Sequence, residues 1–352
     1  MDINPYLKLM VEKDASDIFF TAGSTVRIKA AGKVISVGKT ILTAEITKTI
    51  ASKIMNTEQW ASFEKELEID FAIALPEANA RFRVNAFKQQ GQTALVMRYI
   101  KSKVPTLDEL KMPGILKDLI LNKRGLLLMV GGTNSGKSTT LAAMINHRNE
   151  NQAGHILTIE DPIEFVHSHK KSLMSQRELE VDTHSYLRAL RSAMRESPDV
   201  ILIGEIRDQE TMSAALELSN TGHLALSTLH ANNAYQAMQR VINMFSQEQH
   251  KQLFMDLSLN LISVISQRLV VGVNKKRVAA VEVMINTPYI ADLILKGKIE
   301  DIKEAMATSG AEGMQTFDMA LYNLYTEGRV ALEEALASAD SRTNLQAKIT
   351  FG

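Results

Sequence analysis

The feature that most restricts this chain is the octapeptide GGTNSGKS at residues 131–138. It stands between an apolar run at 125–130 and a helical pattern that continues to about residue 147. A turn of the form G-x-x-x-x-G-K-[ST] that leaves a strand and opens a helix has a physical purpose. Its glycines let successive backbone N–H groups turn toward an anion with no Cβ in the way. The helix after the loop adds the positive end of its dipole. Gly131, Thr133, Asn134, Ser135, Gly136, Lys137, Ser138 and Thr139 are therefore the expected phosphate cradle. Lys137 is expected to reach the β- and γ-phosphates, and the Ser138 hydroxyl to ligate Mg²⁺. The motif points to a nucleoside triphosphate and does not separate ATP from GTP.

A chain committed to this loop is committed to an open α/β sheet, and in such sheets ligands bind beyond the carboxyl ends of the strands. Apolar runs at 125–130, 155–159, 200–203 and 224–229 read as strands of a parallel sheet covered on both faces. If they are parallel neighbours, the residues just after each run lie on the rim of the phosphate loop. Glu160, Asp161 and Glu164 come after the second run, Glu205 after the third and His230 after the fourth. Phosphoryl hydrolysis needs positioned charge, Mg²⁺ and a group that orients water. Glu205 is placed to hold Mg²⁺ through water, and Glu164 to act as the base. Glu160 and Asp161 stand open between supporting and direct roles. His230 is expected at the γ-phosphate. His223, at the other end of the same strand, reads as an ordinary hydrogen-bonded histidine. Two histidines so placed do not share a zinc.

The front of the chain has a different grammar. Helical spacing at 6–13 and 43–55, the latter opened by Thr43 as N-cap, alternates with strands at 17–21, 25–30, 69–74, 80–87 and 94–100. Lys, Ser and Pro at 101–105 read as a break. Arg81 and Arg83 occupy one face of a strand, and Arg98 lies on the next. Arg191 and Arg195 are one turn apart on an expected helix. The ordinary reading of such arginines is solvated surface. The sharper reading is a cation that neutralises charge on a transferring phosphate, supplied between subunits. From residue 234 to about 338 the chain reads as mostly helical, with one strand-like piece at 278–284.

Composition excludes several classes. Lys+Arg and Asp+Glu are both 40, so the formal net charge is zero, which argues against a dedicated nucleic-acid binder. The absence of cysteine excludes disulfides and thiolate metal sites. No apolar run approaches the roughly 20 residues a bilayer requires, and the N-terminal residues do not read as a secretory signal. A cytoplasmic protein with peripheral membrane contact, and no direct membrane insertion, is expected.

Four segments carry a family resemblance: GGTNSGKS at 131–138, IEDPIEF at 159–165, SPDVILIGEIRD at 197–208 and TGHLALSTLHANNA at 221–234. Together they closely resemble the Walker A, Asp box, Walker B and His box of the secretion ATPase superfamily. LMVEKDASDIFFTAG near the N-terminus and RFRVNAF at 81–87 resemble its type IV pilus retraction branch, the PilT/PilU type. The resemblance implies an α/β chain with a PAS-like α+β domain over 1–100, a linker over 101–110 and a RecA-like P-loop ATPase domain with a helical C-terminal part over 111–352. It implies a hexameric ring, ATP and Mg²⁺, and a place on the cytoplasmic side of the inner membrane at the pilus base. An inner-membrane platform protein and a paralogous retraction ATPase are the implied partners. Residue by residue, Lys137 and Ser138 match the phosphate and Mg²⁺ ligands, Glu164 the catalytic Glu of the Asp box, Glu205 the Walker B Glu and His230 the second histidine of the His box. Arg83 and Arg98 match arginines of the N-terminal domain that meet nucleotide, and Arg191 and Arg195 a pair near the ring interface.

The departures also speak. Asn134 stands where the family usually has glycine; Asn tolerates positive φ better than most residues. The retraction motor's AIRNLIREGK-like segment here reads YIADLILKGK at 289–298, without either arginine. HRNENQAGHI at 147–156 and GMQTFD at 313–318 resemble the accessory, PilU-like side of the branch. Two further expectations stand beside the motor: a weakly active nucleotide-binding scaffold or regulator of a partner ATPase, and a pilus-extension or type II secretion ATPase. The lack of a tetracysteine motif and the short N-terminus count against the second.

Overall fold

Strand alternation in the first hundred residues and unbroken apolar strands after residue 125 build two different sheets. The computed structural model describes the whole chain except Ala31, Asn79, Lys101, Ser102 and Gly352. Two residues of the stretch read as a break, Lys101 and Ser102, thus lie outside the described residues. The chain divides into two compact units, residues 1–103 with 164–166, and residues 104–163 with 167–352.

The first unit is a six-stranded antiparallel sheet with helices packed on it. Its strands are β1 (Asp17–Phe20), β2 (Thr25–Ala30), β3 (Lys33–Ile41), β4 (Glu68–Leu75), β5 (Ala80–Gln89) and β6 (Gln92–Ile100), in the order β3-β2-β1-β6-β5-β4. Phe82, Val84 and Ala86 alternate into a core with Ile18, Phe20, Ile28, Phe63 and Met97, so the arginines of β5 are held on the opposite face. Thr43 caps the helix Ala44–Ile54 by accepting from the Ile46 N–H. The helix Thr57–Glu66, which apolar periodicity does not announce, opens with a capping box in which Asn56 and Gln59 satisfy each other's backbone N–H. Edge strand β3 is exposed along nearly its whole length, so no burial pattern marks it in the sequence.

The second unit is built on seven strands: β7 (Gly125–Val130), β8 (Gly154–Glu160), β9 (Ser172–Glu178), β10 (Val200–Ile203), β11 (Leu224–Leu229), β12 (Leu261–Val271) and β13 (Arg277–Ile285). Their order is β13-β12-β7-β11-β10-β8-β9. Every neighbouring pair is parallel except β12 with β13. Alternate residues of the same strands feed two separate cores. Leu126, Leu128 and Ile201 face one; Leu127, Met129 and Val200 face the other. That is why these strands read as solid apolar runs. Leu107, inside the stretch read as a linker, is buried in the second of these cores.

One expectation needs correcting. The tail is not helical between 261 and 271: β12 lies there, parallel to β7, and β13 returns antiparallel to it. An eleven-residue run rich in Leu, Ile and Val but carrying Ser263, Ser266 and Gln267 does not alternate cleanly, because those polar residues are themselves buried. The helices Phe317–Thr326, Leu332–Ser338 and Arg342–Phe351 pack against Val270 and Ala280 of this hairpin.

Candidate active site

Strand β7 delivers the phosphate loop, and the helix Lys137–Asn151 receives it. Gly136 is the N-cap of that helix with φ 87°, a conformation that disfavours a side chain; an added Cβ would lie 2.8 Å from Gln267 Nε2. At Gly131 a Cβ would meet both the Gln267 carbonyl and Ser135 Oγ at 2.5 Å. Asn134 has φ 60°, the left-handed region in which Asn is tolerated. Lys137 Nζ donates to the carbonyls of Gly131 at 2.8 Å and Gly132 at 2.9 Å, which sets the amine at the mouth of the loop. Ser135 Oγ is buried without a hydrogen-bond partner. A buried hydroxyl in that condition, beside glycines that admit no Cβ, suits a cradle built for an oxygen-rich anion.

A residue that the sequence reading passes over holds this cradle. Gln267, 2 % exposed on β12, donates from Nε2 to the Ser135 carbonyl at 2.8 Å and accepts at Oε1 from Thr140 Oγ1 at 2.8 Å. A glutamine within an apolar strand was the available signal.

The parallel pairing of β7, β11, β10 and β8 puts the chain segments after them on one rim, as the sequence requires. Glu205 comes just after β10. Its loop is tied to β11, because Ile206 donates its N–H to the Thr228 carbonyl at 2.9 Å and Thr228 Oγ1 donates to the Gly204 carbonyl at 2.6 Å. The Glu205 carboxylate accepts from Arg207 Nε at 2.7 Å and lies 3.2 Å from His230 Nε2. Glu205 and His230 are thus brought together, with Arg207 as a third member that the sequence alone did not single out. Arg207 is held more firmly protonated by its bond to Glu205. Tyr186 stands close by, its phenol pushed up by burial and then by the neighbouring Asp161 carboxylate, so it remains a neutral hydrogen-bonding group.

The other candidates take separate places. Glu160, the last residue of β8, accepts from Thr158 Oγ1 at 2.6 Å and Gln176 Nε2 at 3.3 Å, which fits a supporting place. Glu164 is exposed in the irregular segment after β8. His223 Nδ1 lies 3.1 Å from both Thr221 Oγ1 and the Leu218 carbonyl, the ordinary structural arrangement. Arg191 is exposed on the helix Tyr186–Ala193, but Arg195 lies beyond that helix, so the two do not share a helical face. Met194 is the C-cap, Ser197 takes φ 51° and Pro198 comes next, which stops the helix short. In the first unit, Arg83 and Arg98 are register partners on β5 and β6. Arg83 pairs with Asp70 at 3.5 Å, and Arg98 Nε donates to Asp17 Oδ1 at 2.8 Å.

An apolar strand, a glycine-rich loop, a lysine at the head of the next helix and an acidic rim on the same sheet edge define a P-loop nucleoside triphosphatase. The chain matches the family described as Type II/IV secretion system protein over residues 1–345. It is 49% identical over 353 residues to the type IV pilus ATPase PilU of Pseudomonas aeruginosa, covering 100% of this chain and 92% of that protein. To the type IV pilus retraction ATPase PilT of the same organism it is 44% identical over 339 residues, covering 96% and 98% of the two chains. A crystal structure of the pilus retraction motor PilT with bound ADP superposes with a TM-score of 0.92 at 36% identity, covering 98% of this chain and 99% of that one. The protein belongs to the type II/IV secretion system family and, within it, to the type IV pilus retraction ATPases.

Proposed function

We propose that the chain is the subunit of an ATP-driven hexameric motor that powers or assists pilus retraction, on the accessory, PilU-like side of the branch. The observation that carries this is the contact of Glu205 with His230 on the sheet edge from which the Lys137-bearing loop, shaped for phosphate, also leaves. The higher identity to PilU, over the full chain, supports the accessory assignment. In this reading the N-terminal unit is PAS-like and the second unit RecA-like. The protein works at the cytoplasmic side of the inner membrane against a platform protein, together with a paralogous ATPase. No described helix is long and apolar enough to cross a membrane.

The loop amides from Gly131 to Thr139 and the Lys137 amine bind the triphosphate. Glu164 takes a proton from water as its oxygen bonds to the γ-phosphorus, the bond to the bridging oxygen breaks, and ADP and phosphate leave. His230 holds a γ-phosphate oxygen. No group of three or more His, Asp or Glu side chains among the described residues would hold a metal by itself. The hard oxygens of Ser138 and Glu205 suit Mg²⁺ shared with a nucleotide, which would neutralise phosphate charge. Arg83 and Arg98 act on a neighbouring subunit's nucleotide, and Arg191 and Arg195 at the ring interface. Arg83 and Arg98 stand directly opposite each other on β5 and β6, so the two cations belong to one face of that sheet. Asn134 and the arginine-free 289–298 segment favour a second reading, a weakly active ring that regulates its partner.

Glu164→Gln is the test. The variant should bind Mg-ATP as the wild type does, while steady-state phosphate release falls by about 10²-fold or more. Turnover at the wild-type rate would remove Glu164 as the base.

A further inference from the structure

The helix Ala234–Asn243 buries Ala234, Ala237, Met238 and Val241. Its opposite stripe, Gln236, Gln239, Arg240 and Asn243, has the i, i+3, i+4, i+7 spacing of a single face. On a solvated helix such a stripe would need no explanation. Here all four residues line a cavity of about 560 Å³ whose other wall is the front of the phosphate loop, residues 131–133, and His230. Among the described residues, this lining contains amides, backbone groups, the Thr133 hydroxyl, the Ala231 methyl, one imidazole and one guanidinium, and no carboxylate. The chemistry therefore suits an anion.

Within this cavity Arg240 has a particular place. Its Nη1 donates to the His230 carbonyl at 3.1 Å, so the guanidinium is held against the residue whose ring meets Glu205. A guanidinium carries five donors in a fixed fork, and one bond to a carbonyl leaves the rest of the fork for an anion. We propose that Arg240 is a further catalytic residue of the same subunit, which binds the γ-phosphate across this cavity and tells triphosphate from diphosphate, a role that rests on the nucleotide-binding reading of the loop. The developing charge on the transferring phosphate would then meet a cation from its own chain as well as any supplied by a neighbour.

The test compares Arg240→Gln and Arg240→Lys with the wild type, using Mg-ADP and Mg-ATPγS as probes and steady-state ATP turnover as the rate. Arg240 is exposed and off the buried face of its helix, and Mg-ADP affinity itself reports the fold. Arg240→Gln should keep Mg-ADP affinity within about twofold, lose about 10–100-fold in Mg-ATPγS affinity, and turn over about 10²-fold more slowly. Arg240→Lys, which keeps the charge without the fork, should recover part of the triphosphate preference. An unchanged ratio of the two affinities together with unchanged turnover would overturn the proposal. Equal loss of both affinities would overturn it too, since the side chain would then support the loop as a whole. A wild-type chain that bound neither nucleotide would overturn the nucleotide reading itself, a result distinct from either.

Discussion

At the scale of single residues, the phosphate loop turns on backbone conformation. Asn134, where the family resemblance leads one to expect glycine, takes φ 60°, which the sequence already marked as tolerable because Asn visits that region more readily than other side chains. Asn134→Gly should leave Mg-nucleotide affinity unchanged. Asn134→Val, branched at Cβ, should lose about 1–2 kcal/mol of support for the bound loop, seen as roughly 5–30-fold weaker nucleotide binding by calorimetry. Equal affinity in the valine variant would mean that the loop does not need this φ when loaded. Other residues were beyond sequence reasoning for a physical reason. Arg207 and Arg240 act through contacts with Glu205 and the His230 backbone. A surface arginine with a partner is spelled like one without.

At the scale of elements, the most informative piece is β12, the strand hidden in a stretch that reads as helical. Its buried Gln267 spans from Ser135 to Thr140 and so fastens the loop to the sheet. Gln267→Leu would leave two buried groups without partners, at about 1–3 kcal/mol each. Chemical denaturation should show that loss of stability, and nucleotide affinity should fall with it. A leucine variant as stable and as tight-binding as the wild type would show that the loop stands without this brace. Neighbouring Arg268 extends the same strand's reach. It donates to the Asn232 and Ser338 carbonyls, pairs with Asp340 at 2.6 Å and lies 3.9 Å over the Phe317 ring. The loop after β11 is thereby linked to the C-terminal helices.

At the scale of the whole molecule, the proposed motor is an assembly, and its interface cations can be tested only there. Size-exclusion with light scattering in Mg-ATP should give a mass near six times the 39.0 kDa of the chain. The double variant Arg83→Ala, Arg98→Ala should assemble equally well while ATP turnover falls by about 10³-fold. A stable monomer with and without nucleotide would remove the interface role of both arginines. The accessory reading is also a statement at this scale, because it assigns part of the work to a second ATPase.

The amino-acid order alone settled what depends on short stretches of chain. The strand–loop–helix of the phosphate site, the apolar strands at 125–130, 200–203 and 224–229, and the Thr43 cap rest on local geometry and on burial of both sheet faces, and each leaves a readable pattern. The order of the strands, the insertion of β12 beside β7, the bracing of the loop by Gln267 and the clustering of Glu205, Arg207 and His230 were decided only in three dimensions. Each joins groups far apart along the chain or turned toward one another by a strand edge. Sequence periodicity records how much a residue is buried; it does not record which neighbour a buried or half-buried polar group will find.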